Sequence, residues 1–126
     1  MKVVIATILI LITFFAVALY MEQYVNQSAE ILTSELEKLE QAIEKEEWKE
    51  VRQHMENTAQ GWGETKKVWL TFLEHNEIDK IDIVFARLQS YVGSEENVEA
   101  LSSTAELKFL LQHIVEKQGF RLTNVL

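Results

Sequence analysis

The stretch VVIATILILITFFAVALYM, residues 3–21, decides how the rest of the chain is read, because of its nineteen residues only Thr7 and Thr13 are not apolar. At about 1.5 Å rise per residue such a helix spans roughly 28 Å, close to the thickness of a bilayer's hydrocarbon core. Neither threonine is a barrier, since a hydroxyl can bond back to a carbonyl of its own helix. Contact with membrane lipid through residues 3–21 follows, and everything from Glu22 onward hangs from that anchor.

A cleaved signal peptide would use Ala16-Val17-Ala18 as its small-residue site. That triplet continues the apolar run directly after Phe14 and Phe15, with no polar segment before it, so an uncleaved anchor is the better reading. A lipid-modified cysteine is excluded because the chain has none. Lys2 and the amino terminus precede the run, whereas Glu22 opens a long acidic segment. The positive-inside rule therefore puts the N-terminus in the cytoplasm and the bulk of this cell-membrane protein outside.

With 126 residues, there is room for the anchor, residues 1–21, and one small extracytoplasmic domain, residues 22–126. Proline is absent and glycine occurs only at Gly61, Gly63, Gly93 and Gly119. Long stretches free of strong helix breakers favour an all-α fold. Setting Lys2 aside, the domain has 11 basic and 20 acidic residues, a surplus that repels phosphate backbones and argues against nucleic acid as a partner. The lack of cysteine removes disulfides, thiolate metal sites and thiol catalysis together.

Apolar positions continue past the anchor at helical spacing: Met21, Val25, Leu32, Leu36, Leu39 and Ile43, with Ala29 and Ala42 alongside. This predicts one unbroken helix from Val3 to about Lys45, with Glu35, Glu37, Glu40 and Glu44 on its solvated face. A second helix, expected from about Glu46, carries Trp48, Met55, Trp62 and Trp69 at intervals of seven, and Val51, Thr58, Thr65 and Phe72 at the complementary heptad position. All three tryptophans lie on this packing seam. Trp48 and Trp69 are expected in the core. Trp62, mated with Thr65 and flanked by Gly61 and Gly63, is expected to be partly exposed and open to another chain. The glycines predict a kink there or the close approach of a neighbouring helix.

Asn76 is an expected cap at the junction of the second helix with a third, whose stripe is Ile78, Ile81, Phe85, Leu88 and Val92, closed by Gly93-Ser94. Ser94 is the expected cap of a fourth helix with the stripe Val98, Leu101, Ala105, Leu107, Leu111 and Ile114, ending at Gly119. The apolar tail, residues 120–126, is expected to fold back onto the bundle. Short junctions make successive helices antiparallel, so the architecture is a membrane helix continuing into an antiparallel bundle of about four helices.

Serine nucleophile motifs, phosphate-binding glycine loops and paired catalytic carboxylates are missing, which argues against an enzyme and against any cofactor. His75, Glu77, Asp79 and Asp82 form the one polar cluster with metal-ligand chemistry. Acids in the first turns of a helix are also expected from the helix dipole, and the spacing matches no established metal loop. His113, one turn after Phe109, reads as a core or boundary residue. Arg87 is expected to pair with Glu106 across the bundle. Asn26-Gln27-Ser28 matches a glycosylation acceptor within a helical stretch.

The anchor followed by Glu47-Trp48, Trp69, His75-x-Glu77-Ile78-Asp79, Ala86-Arg87-Leu88, Ala105-Glu106-Leu107-Lys108 and His113-Ile114 resembles the bacterial family described as domain of unknown function 4363. The resemblance covers nearly the whole chain. It implies a small membrane-anchored helical protein of Gram-positive bacteria with no assigned activity, and a YetF-like integral membrane protein as partner. Two functions follow as expectations: a non-enzymatic interaction module that serves as an accessory subunit of an integral membrane protein, or an extracytoplasmic sensor that holds an ion or small solute at His75, Glu77 and Asp79.

Overall fold

A computed structural model describes the backbone over residues 1–125 and the side chains over residues 1–119. Four helices make up the fold: α1 (Lys2–Glu44), α2 (Trp48–Trp69), α3 (His75–Gly93) and α4 (Asn97–Val125). α1 has 43 residues, about 64 Å at the ordinary helical rise. Its first twenty-one positions contribute no buried residue, and its most apolar window, with a mean hydropathy of 2.8, is long and apolar enough to cross a membrane. Thr7 and Thr13 donate back to the carbonyls of Val3 and Leu9, each at 2.8 Å. From Val25 onward the same helix turns one face into the core through Ala29, Leu32, Leu36, Leu39, Ala42 and Ile43.

Cross-links fix the direction of each helix. Ser28 meets Trp69, and Glu35, farther along α1, meets His54, earlier on α2. Trp62 meets Asp82 while Arg52 meets Glu95. Glu77 meets Lys117 while Arg87 meets Glu106. Glu40 meets Lys108 while Ile43 meets Asn97. Numbering rises on one helix as it falls on its neighbour in every pair, so all four seams are antiparallel. α1 touches α2 and α4, α3 touches α2 and α4, and neither diagonal pair meets among the described residues. The result is an up-down-up-down four-helix bundle.

The end of this bundle nearest the apolar half of α1, the membrane end if that half spans a bilayer, holds the start of α1's buried face and the α2–α3 connection, with Gly119 of α4 close to the Glu22 side chain. The far end holds the α1–α2 and α3–α4 connections, and these are built alike. Lys45 N–H bonds Gln41, Glu46 N–H bonds Ile43 and Glu47 N–H bonds Ala42, matched by Ser94 to Ser90, Glu95 to Val92 and Glu96 to Tyr91. Both are Schellman closures, and they require a left-handed residue at the position past the cap. Glu46 (φ 55°) and Glu95 (φ 54°) take it. Asn97 ties the two closures together by donating to the Ile43 carbonyl at 3.0 Å and to Glu46 at 3.3 Å.

These closures correct two boundaries, and the α2–α3 connection corrects a third. α2 starts at Trp48, not Glu46, because Glu46 is spent on the left-handed turn. Ser94 closes α3 rather than opening α4, which starts at Asn97. α3 begins at His75, so Asn76 lies inside it. α4 also runs through Gly119 to Val125; the expected packing of the side chains of residues 120–126 lies outside the described residues.

The core agrees with the predicted stripes on α1, α2 and α3, apart from Met21, Trp48 and Phe72 at their margins. α4 differs. Its buried face is Ala100, Ser103, Thr104, Leu107, Leu111 and Ile114, while Val98 is 73% exposed. Hydroxyl residues take core positions because they bond their own helix: Thr104 Oγ1 donates to the Ala100 carbonyl at 2.8 Å and Thr58 Oγ1 to that of His54 at 2.6 Å. α2 is continuous through Gly61 and Gly63. A methyl group at Gly61 would stand 3.4 Å from Leu32 Cδ2, so close approach of α1 is the realised alternative.

Candidate functional site

A side-chain network lies in the second half of α2, toward the α2–α3 connection. Trp69, fully buried, donates its Nε1 proton to Ser28 Oγ at 3.0 Å, and Ser28 Oγ in turn lies 2.7 Å from the Tyr24 carbonyl. Trp62 meets Trp69 edge to face with ring centres 5.6 Å apart, and stacks on Phe85 at 5.9 Å with the planes 7° from parallel. Its Nε1 proton goes to Asp82 Oδ1 at 2.8 Å, while the other carboxylate oxygen of Asp82 takes Lys66. The chain of contacts thus runs from α1 through α2 to α3. Trp62 is only 5% exposed. That corrects the expectation that it is partly exposed; Trp48, partly buried at the far end of α2, is the least covered of the three.

The predicted polar cluster is divided rather than gathered. Glu77 and Asp82 are five residues apart on α3, roughly 140° around the helix, and so face different neighbours. Glu77 lies on the α4 side, 3.4 Å from Lys117 and 3.5 Å from Lys80. Asp82 lies on the α2 side with Trp62 and Lys66. His75 and Asp79 are exposed. Among the described residues no group of three or more histidine or acidic side chains is arranged to hold a metal ion.

Burial would by itself raise the Glu77 carboxyl, but Lys117, by hydrogen bond and charge, together with Lys80, holds it below its ordinary value. Glu35 behaves likewise, with burial outweighed by Lys38 and His54. A carboxyl lowered in the folded state contributes stability that is complete above its unfolded value of 4.5 and is lost as pH falls through the folded value. Acid titration from pH 6 downward is therefore expected to lower the melting temperature mainly below that value, and Glu77→Gln should flatten part of the slope. A slope unchanged in Glu77→Gln would show that the ion pairs with Lys117 and Lys80 are not coupled to folding.

Arg87 and Glu106 do pair, at 3.0 Å, but nearly half of each side chain is exposed, so the pair sits on the surface and sets register weakly. His113 is exposed and stacks on Phe109 with ring centres 6.3 Å apart, outside the core. Ser28 of the glycosylation motif is buried and bound by Trp69.

A family model described as a domain of unknown function (DUF4363) matches residues 19–125. The chain belongs to this family. The match begins inside the apolar run and takes in the rest of α1 and all of α2, α3 and α4. Neither a curated protein nor a solved structure matches the chain.

Proposed function

We propose that this DUF4363 protein is a single-pass, non-enzymatic interaction module whose bundle docks as an accessory subunit against an integral membrane protein of the same membrane, a YetF-like protein being the partner that the family resemblance implies. The N-terminus is cytoplasmic and the bundle lies outside. The observation that carries this reading is the continuity of α1, which passes from an exposed apolar half into the buried seam of the bundle without a break. Such a helix holds the bundle at a fixed height and rotation above the bilayer, the geometry an accessory subunit needs and a freely tethered enzyme does not. The alternative, a sensory domain, requires His75, Glu77 and Asp79 to act together, and Glu77 is drawn instead to Lys117 and Lys80.

Purification of the tagged full-length chain in mild detergent should enrich one integral membrane protein over an unrelated single-pass control, and in-membrane crosslinking should recover the same species. No enrichment, together with a melting temperature raised by a divalent metal, would favour the sensor; a site at a hundredfold excess over its Kd adds about 2.7 kcal/mol.

A further inference from the structure

The three connections between helices differ by position. The two at the far end read Lys45-Glu46-Glu47 and Ser94-Glu95-Glu96, whereas the one at the membrane end, Leu70-Thr71-Phe72-Leu73-Glu74, has its only charge at its closing residue, paired with Lys117, and directly follows Lys66-Lys67-Val68-Trp69. Trp69 and Leu73 are buried, but Val68 is 38% exposed, Leu70 and Phe72 are only partly covered and Thr71 is exposed. The Thr71 hydroxyl donates to the Val68 carbonyl at 2.6 Å, so its proton is already satisfied within the turn. Lys67 is exposed beside them.

Height follows from the register. Trp69 bonds Ser28, which stands seven residues past the apolar run, about 10 Å above its end. The chain continues downward in helical geometry, Leu73 N–H bonding the Trp69 carbonyl at 2.8 Å, and so descends about 5 Å more before α3 turns back. The tip then stands about 5 Å above the hydrocarbon, inside a headgroup layer some 5–7 Å thick.

We infer that the α2–α3 turn rests in the lipid headgroup layer of the membrane that α1 crosses, with Leu70, Thr71 and Phe72 lowest in that layer and Val68 and Lys67, at the end of α2, at its outer rim, where the Lys67 side chain reaches down toward the anionic phosphates. The bundle is then attached by this turn as well as by the span. The inference rests on the anchor reading, and its continuity with the span is what selects lipid as the occupant of this otherwise uncovered apolar tip.

Because the chain has no cysteine, Thr71→Cys provides a unique attachment point for an environment-sensitive fluorophore on an exposed side chain. The full-length chain is reconstituted in vesicles of phosphatidylcholine and phosphatidylglycerol that contain a nitroxide-headgroup lipid. Label at position 71 should be quenched severalfold more than label on Glu95→Cys, which lies about 33 Å away along α2. Adding Val68→Glu and Lys67→Glu, both at exposed positions, should abolish the difference without moving the melting temperature. Equal, weak quenching at both positions in a chain that stays with the vesicles through an alkaline wash would overturn the inference and leave the anchor standing. A chain washed off the vesicles would sink the anchor reading itself. Quenching unchanged by the double substitution would also overturn the inference, since the named side chains would then not make the contact.

Discussion

Replacing Trp69 by alanine should cost about 3–5 kcal/mol, the range for deleting a large buried aromatic, and so consume much of a small domain's stability of about 5–15 kcal/mol. Trp69 has no exposed surface, packs edge to face on Trp62 and bonds Ser28 of α1. Trp62→Ala is expected to cost a similar amount, because it removes the stack on Phe85 and leaves the Asp82 carboxylate with Lys66 alone. Trp48→Ala should cost clearly less, since Trp48 is only partly covered. Chemical denaturation of the three variants gives the order, and acrylamide quenching of single-tryptophan chains checks it independently, with Trp48 the accessible ring. Trp69→Phe separates the contributions: it keeps an aromatic ring but removes the proton donated to Ser28, a bond worth about 1 kcal/mol. A melting temperature indifferent to Trp62→Ala would mean that Trp62 does not belong to the cooperative core.

The burial order reverses part of what heptad reasoning suggests, and the cause is particular. A tryptophan's burial depends on the element packed over it, and Trp62 is covered by Phe85 and Asp82, some twenty residues away on α3. Nothing local to Gly61-Trp62-Gly63 announces that partner. Seams made of aliphatic side chains, such as Ile78, Ile81, Phe85, Leu88 and Val92, are legible because hydrophobicity and helical period agree there. On α4 they disagree. Ser103 and Thr104 face inward because Thr104 can satisfy its hydroxyl on its own helix, while Val98 faces water, so a reading by hydrophobicity rotates the stripe over the first two turns. Glu46 and Glu95 hide the helix boundaries for a related reason: the left-handed position usually announces itself with glycine or asparagine, and here glutamate occupies it in both turns. The acidic residues of α3 were legible as a cluster only in one dimension, since neighbours in sequence on a helix face different partners in space.

The largest effect belongs to α1, and two truncations separate its halves. A chain starting at Glu22 discards no buried residue and should retain a cooperative thermal transition within a few degrees of the full-length bundle. A chain starting at Glu46 discards Val25, Leu32, Leu36, Leu39 and Ile43, with Ala29 and Ala42 between them. Fully burying a large aliphatic side chain is worth about 1.5–3 kcal/mol, so those five contribute on the order of 10 kcal/mol, comparable with the whole stability of a domain this size. Ser28, the Trp69 acceptor, and Glu40, the Lys108 partner, go with them. The shorter chain should show no sigmoidal transition and should bind a hydrophobic dye, because α2 and α4 would both present an open apolar seam. A cooperative transition in the chain from Glu46 would mean that α2, α3 and α4 close on one another without α1, and the stalk would then be a tether rather than the first wall of the bundle. Loss of the transition in both chains would instead place part of the folding energy in the apolar half of α1, which has no side chain buried against the bundle through which to supply it.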